Sequence, residues 1–241
     1  VHPRLRPKVW SHCLEGGCGD AVEEDSCGVA EGGGSAASDV GLRGASAIGQ
    51  ERRSMSGGKE EVSRHIADLI ETDIPRTFAR CKKLQTSVGQ NKLRHALRRF
   101  AAENADIGYC QSLNLLAGVL IMVFDDERAV PALMSRLIAK LDARRWYTEG
   151  MQQLRADAIV LQDLLRERMP IIHAAFSAHS FDPLVVCPRW FLSLFSMALE
   201  GETLHRVWDV VLSDGISAVF RVAVALFARR EAEIKRASSL E

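Results

Sequence analysis

Apolar residues recur every three or four positions along most of the chain, which is the spacing of an amphipathic α-helix. From Glu60 onward this period is continuous, and proline, glycine and acidic residues separate one helical segment from the next. The stretch from Leu113 to Phe124 is apolar on nearly all sides, so it predicts a central buried helix. No alternating run is long enough for a useful β-strand. The pattern therefore predicts an all-α fold, a many-helix single domain.

The ends of this helical pattern allow more local predictions. In residues 4–14, Leu5, Val9 and Cys13 form the expected buried stripe of a short first helix. Pro188 predicts the start of a helix that continues through Glu200. Helices are also expected near residues 62–72, 93–103, 131–141, 151–169, 202–212 and 216–234.

Trp208 and Asp209 lie side by side in the predicted helix 202–212. The tryptophan has apolar neighbours and is expected to pack in the core. For the carboxylate we expect a structural role, either as a cap or as a partner of Arg206 or Arg189.

The chain changes composition sharply after the first helix. Twelve of the 18 glycines fall between Gly16 and Gly58, and no aromatic residue occurs between Trp10 and Phe78. Such a stretch cannot bury enough apolar surface to offset the entropy lost on ordering. We therefore expect residues 16–58 to be a flexible low-complexity insertion within one domain of residues 1–241, since closing a long loop costs little extra free energy.

The overall charge and the cysteine spacing exclude several classes of protein. Lys plus Arg and Asp plus Glu both number 31, which argues against a nucleic-acid-binding protein. Six scattered cysteines form no CxxC pair, so no metal site is expected. Because no apolar run reaches 18 residues and the start lacks a secretory h-region, we expect no transmembrane segment and a cytoplasmic protein.

The segment Ile70–Phe78, with the sequence IETDIPRTF, contains the first candidate functional residues. Asp73 and Arg76 lie three residues apart around Pro75, so the carboxylate can orient the guanidinium outward. A positioned arginine presents a planar fork of donors that suits phosphate and phosphoryl transfer. The alternative is an ordinary surface salt bridge, which contributes about 0 to 1 kcal/mol.

Gln111, in the sequence GYCQSLN, is the second residue that could take part in chemistry. Its amide lies at the start of the apolar central helix, where donors and an acceptor must be satisfied or face solvent. It could orient a water molecule, or it could simply bond the first turn of its own helix.

Other kinds of catalytic site are not indicated by the sequence. The glycines precede no Lys-Ser or Lys-Thr pair of a phosphate-binding loop, and no serine, histidine or cysteine is spaced as an activated nucleophile. A helical domain with one positioned arginine and one positioned glutamine could instead lend these groups to the active site of a partner.

These motifs resemble those of TBC domains, the Rab GTPase-activating proteins. IETDIPRTF is similar to the I-x-x-D-x-x-R motif of that family, with Asp73 and Arg76 at its fixed positions. GYCQSLN resembles the Y-x-Q-G-M motif, with Tyr109 and Gln111 matching. Similarity to the opening R-x-x-x-W element and to the C-terminal half extends the resemblance over residues 4–15 and about 60–236.

The resemblance implies an all-α domain that accelerates GTP hydrolysis by a bound Rab-family small GTPase in its GTP-bound state. Arg76 would be the arginine finger and Gln111 would orient the attacking water, both in trans. Asp73 would hold Arg76, and Tyr109 would support the glutamine loop. The domain would need no cofactor of its own, because GTP and Mg²⁺ belong to the partner. It would reach endomembranes through that partner.

Ser112 departs from the family motif, which usually has glycine at this position. The exchange would cost about 1 kcal/mol if the backbone there needs a positive φ. A non-catalytic helical docking module, which binds a Rab or an adaptor without stimulating hydrolysis, is the alternative function.

Overall fold

The computed structural model describes residues 1–15, 62–182 and 185–238. The predicted insertion at residues 16–58 lies outside these ranges. The described chain is all-helical and contains no β-strand, as the hydrophobic pattern predicts. Its α-helices are α1 (Arg6–Leu14), α2 (Arg64–Asp73), α3 (Lys82–Gln85), α4 (Ser87–Glu103), α5 (Leu113–Phe124), α6 (Val130–Lys140), α7 (Gln152–Arg168), α8 (Pro170–Ala178), α9 (Cys187–Phe191), α10 (Gly201–Asp214) and α11 (Ile216–Ser238).

Helix α5 lies at the centre of the first half of the fold, as its apolar composition predicts. It packs against α4 and α6, and its first nine residues are buried except for Leu115. In the second half, α8 and α10 both pack against α11, and α7 packs against α8. Buried side chains from both halves belong to one continuous apolar core. Within the described ranges, none of the helices combines the length and the apolar character that a membrane crossing requires.

Helix α1 joins the two halves, because it contacts α5 and α6 on one side and α10 on the other. The predicted stripe of this helix is wrong in part. Leu5 is 53% exposed, whereas Arg6 and Trp10 are buried together with Cys13. A local apolar pattern assigns a leucine to the core and an arginine to the surface, but here distant carboxylates make the burial of the arginine favourable.

Those carboxylates are Asp209 and Glu202 on α10. Arg6 donates from Nε to Asp209 Oδ1 at 3.1 Å and from Nη2 to Glu202 Oε1 at 2.6 Å. Trp10 donates from its indole nitrogen to Asp209 Oδ1 at 2.7 Å. The predicted pairing of Asp209 with Arg206 or Arg189 is therefore wrong. The fold pairs this carboxylate with Arg6, about two hundred positions away, while Arg206 pairs with Glu202.

The helix predicted from Pro188 through Glu200 is also wrong in extent, since α9 ends at Phe191. Side chains from elsewhere in the fold donate hydrogen bonds to backbone carbonyl groups that a longer helix would bond internally. Tyr147 Oη donates to the Leu192 carbonyl at 3.0 Å, and Trp208 donates to the Leu194 carbonyl at 3.1 Å. The chain then turns with positive φ at Leu194 and Phe195.

We expect Asp209→Asn to lower the free energy of unfolding by about 3 kcal/mol, because the buried guanidinium of Arg6 loses one of two carboxylate partners. Burial opposes ionisation of Asp209, but its bonds with Arg6, the amino group of Val1 and Trp10 outweigh burial and hold its pKa below the ordinary value. The stabilisation is therefore present above the ordinary carboxyl pKa and is lost as the pH falls through the lowered one. Urea denaturation at neutral pH measures the effect.

Arg206→Ala is the matched control for this prediction. Its exposed guanidinium pairs with Glu202 at 3.6 Å on the same helix, so its loss should cost no more than about 1 kcal/mol. Equal stabilities of the Asp209→Asn and wild-type proteins would contradict the importance of the buried pair.

Candidate functional site

Arg76 lies in a turn that follows α2. The helix ends at Asp73 because Pro75 lacks an amide hydrogen and its ring prevents the helical bond pattern from continuing. Arg76 then folds back, and its Nε donates to Asp73 Oδ1 at 2.6 Å. The arginine side chain remains 53% exposed. One edge of the guanidinium is thus held by the protein while much of the group faces solvent.

The Asp73 carboxylate is buried and has two different partners. Its Oδ2 accepts a hydrogen bond of 2.5 Å from Tyr109 Oη. Burial, together with the neighbouring carboxylate, raises the pKa of the Tyr109 phenol well above its ordinary value. The phenol therefore remains protonated and acts as a donor. Through Asp73, the turn that carries Arg76 is fixed to the loop that carries Gln111.

A second connection between the turn and the loop runs through Thr77 and Asn114, both buried. Thr77 Oγ1 donates to the Asp73 carbonyl at 2.7 Å and accepts from Asn114 Nδ2 at 2.7 Å. Asn114 Oδ1 in turn accepts from the backbone nitrogen of Ser112 at 3.1 Å. Sequence reasoning missed both residues as parts of the site. An asparagine within an otherwise apolar helix is the signal that could have found them, because a buried amide must be hydrogen-bonded.

The backbone between these anchors is unusual at Ser112, which adopts φ 93° and ψ −22°. This left-handed conformation turns the chain directly into α5. The family motif has glycine at this position, and serine is strained there if φ is positive. Ser112 has a positive φ, so this condition is met. A glycine is instead required farther along α5, where a Cβ at Gly118 would lie 2.8 Å from the ring of Phe78. That absence of a side chain lets the Arg76 turn pack closely on α5.

Arg76 and Gln111 border the same open cavity of about 620 Å³. Both side chains are exposed. The turn after α2 and the start of α5 form one wall of this cavity, and residues between Ser196 and His205 form another. The structure therefore brings the two candidate residues together at a solvent-accessible site, although 35 positions separate them in the sequence.

The cavity offers a cationic fork and a neutral amide to a ligand. Burial raises the pKa of the Cys110 thiol, beside Gln111, to about 11, so the thiol stays protonated near neutral pH. Among the described residues, no group of three or more His, Cys, Asp or Glu side chains is arranged to hold a metal ion. The exposed guanidinium of Arg76 is suited to an anionic group.

We expect Ser112→Gly to be more stable than Ser112→Ala by about 1 kcal/mol, because only glycine adopts a positive φ without steric cost. Both variants lose the hydroxyl, so their difference isolates the backbone conformation. Thermal or urea denaturation of the pair measures it. If Ser112→Ala were instead more stable than Ser112→Gly, this position would not be strained.

Three comparisons with known proteins bear on the family. A family model described as the Rab-GTPase-TBC domain matches residues 3–235. TBC1 domain family member 2A from Homo sapiens is 37% identical over 172 residues, which are 70% of this chain and 18% of that protein. Growth hormone-regulated TBC protein 1 from Xenopus laevis is 33% identical over 180 residues, which are 73% of this chain and 52% of that protein.

A solved structure described as the Chlamydomonas flagellar RabGAP TBC domain superposes with a TM-score of 0.63 and 27% identity. The match covers 73% of this chain and 58% of that one. This chain thus spans about half or less of the two relatives named above. The resemblance inferred from the short motifs is confirmed. Since the family model covers nearly the whole sequence and the fold agrees, this chain belongs to the Rab-GTPase-TBC domain family.

Proposed function

We propose that this chain is a GTPase-activating protein that accelerates GTP hydrolysis by a Rab-family small GTPase in its GTP-bound state. One observation carries the proposal: Arg76, oriented by a buried carboxylate, and Gln111 are both exposed at one cavity. Family membership supports the same function. In this proposal the partner brings GTP and Mg²⁺, and this chain contributes no cofactor and no catalytic activity of its own.

Arg76 is proposed to place its exposed guanidinium against the charge that develops as the γ-phosphoryl group is transferred. Its bond to Asp73 occupies one edge of the guanidinium and sets the direction of the rest. An arginine supplied in trans is worth about 10³ to 10⁵ in rate, which corresponds to roughly 4 to 7 kcal/mol of transition-state stabilisation. Fixing its direction before the partner binds lowers the cost of ordering it at the moment of reaction.

Gln111 is proposed to orient the attacking water, because an amide can accept one water hydrogen and donate to another oxygen. The side chain itself is exposed, so its position depends on the backbone that carries it. Tyr109 and Ser112 anchor that backbone on either side, through their bonds with Asp73 and Asn114. Asp73 and Tyr109 are accordingly positioning residues in this proposal.

We expect Arg76→Ala to lower the accelerated rate by about 10³ to 10⁵, and Gln111→Ala by about 10² to 10³ by analogy with the loss of one preorganised donor. Single-turnover hydrolysis by a panel of GTP-loaded Rab proteins measures both effects. Arg99→Ala is the matched control, since it removes an exposed arginine bonded to Glu103 that does not border the cavity.

The outcomes separate the proposal from its alternative. Hydrolysis at the intrinsic rate across a broad panel, with tight binding to a GTP-loaded Rab, would identify a docking module in place of an activator. An Arg76→Ala protein with full activity would exclude the assigned role of the arginine.

We expect Tyr109→Phe to lower kcat by at most about 10²-fold, because Arg76 keeps its own bond to Asp73 while the support of both segments loosens. The variant should also lose about 1.5 to 3 kcal/mol of unfolding free energy, since a buried carboxylate loses a donor. Tyr147→Phe is the control, because its hydroxyl bonds the Leu192 carbonyl, outside the Asp73 network. A drop in kcat of equal size in both variants would contradict a specific role for Tyr109.

A further inference from the structure

The cavity wall that contains Ser196 and His205 begins with a turn that follows α9. Leu194 and Phe195 adopt φ of 42° and 65°, and both side chains are buried. Trp208 holds this turn from α10 by donating to the Leu194 carbonyl at 3.1 Å. The next residue, Ser196, is thereby fixed at the cavity, where His205 of α10 is also found.

Two polar atoms on this wall are buried without a protein partner. Within the described part of the chain, neither Ser196 Oγ nor His205 Nε2 has a hydrogen-bonding group in reach. Ser196 is 8% exposed. Ser193, three residues earlier, has the opposite environment, because its hydroxyl donates to the Arg189 carbonyl at 2.6 Å and accepts from the Met197 nitrogen at 3.3 Å. The hydroxyl of Ser193, which does not border the cavity, is thus hydrogen-bonded within the protein, whereas that of Ser196, which does, is not.

The surroundings of these two atoms favour a neutral ligand group. Burial, followed by the positive charge of Arg6, lowers the pKa of His205 below its ordinary value. The lining near these atoms includes the apolar side chains of Met197 and Leu204. The charged residues Arg80 and Glu200 also line the cavity, but they pair with each other at 3.7 Å. A hydroxyl or amide could bond both unpartnered atoms without the desolvation cost of a further charge.

We propose that Ser196 and His205 form a specificity-determining subsite that receives a neutral, hydrogen-bonding side chain from an otherwise apolar segment of the bound GTPase. This inference rests on the proposed function. Ser196 and His205 line the same cavity as Arg76 and Gln111, so a GTPase that brings its nucleotide to this cavity lies beside them. Both atoms are already buried and unpaired in the free protein. A segment that bonds them therefore gains hydrogen bonds that a segment without a bonding group does not gain.

This difference in hydrogen bonding is the basis of discrimination. A GTPase with a suitable hydroxyl or amide gains affinity at these two atoms, whereas a GTPase with only apolar side chains there does not. GTPases that present only apolar side chains at this point would therefore be poor substrates. Arg76 and Gln111 act on the nucleotide that every GTPase shares, so they cannot supply such selectivity.

The test compares Ser196→Ala with wild type on the GTP-loaded Rab that the wild-type chain accelerates most in the panel. We expect KM to rise by about three- to tenfold, as for the loss of one buried hydrogen bond, with kcat within about twofold of wild type. The stability of the free variant should be unchanged or higher, because the lost hydroxyl has no partner in the free protein.

Ser193→Ala is the matched control and should show the reverse behaviour. It removes a satisfied hydroxyl, so the variant should be less stable while its KM stays at the wild-type value. His205→Phe is a second, independent variant. It keeps a ring at the position that contacts Trp10 at a centroid distance of 6.3 Å and removes both nitrogens, so its KM should also rise.

Each outcome supports or overturns the inference. Wild-type KM in both Ser196→Ala and His205→Phe would overturn it, and so would a loss of stability in Ser196→Ala equal to that in Ser193→Ala. If Arg76→Ala abolishes acceleration while the two subsite variants behave as wild type, the subsite alone is excluded. If the wild-type chain accelerates no Rab, the proposed function and the subsite fail together.

Discussion

The buried carboxylate of Asp73 is the group on which the candidate site depends. An ionised side chain taken out of water is costly unless hydrogen bonds and an opposite charge compensate for the lost solvation. Here Arg76 bonds one carboxylate oxygen and Tyr109 bonds the other. The same group therefore fixes the direction of an exposed arginine and the loop of an exposed glutamine. Two exposed side chains at the cavity thus obtain their order from a contact that lies beneath the surface.

The rest of the network makes this arrangement rigid. Thr77 and Asn114 connect the backbone of the Arg76 turn to that of the Gln111 loop through buried hydrogen bonds. The positive φ of Ser112 is a conformation that an isolated peptide would rarely adopt. It is maintained because the surrounding bonds leave the chain no better alternative, which is the usual condition for strain at a functional site.

The cavity wall that contains Ser196 and His205 depends on packing between the two halves of the fold. Arg6 and Trp10 of α1 bond Asp209 of α10, and α1 also contacts α5 and α6. This contact connects the half that contains Arg76 and Gln111 to the half that contains Ser196 and His205. The two parts of the cavity lining are accordingly connected through core contacts, while Arg76 and Gln111 remain exposed.

The sequence alone determined the helical class and the buried central helix from Leu113 to Phe124, and it indicated Arg76 and Gln111 as candidate site residues. Periodicity, composition and short motifs are local properties. Tertiary structure alone decided that these two side chains meet at one cavity, that Arg6 is buried and Leu5 is not, and that the helix after Pro188 ends at Phe191. Each of these depends on a partner far along the chain, such as Asp209 for Arg6 or Trp208 for the turn after α9. The free energy of a charge or a carbonyl group is set by the atoms that finally surround it, and local sequence patterns do not specify those atoms.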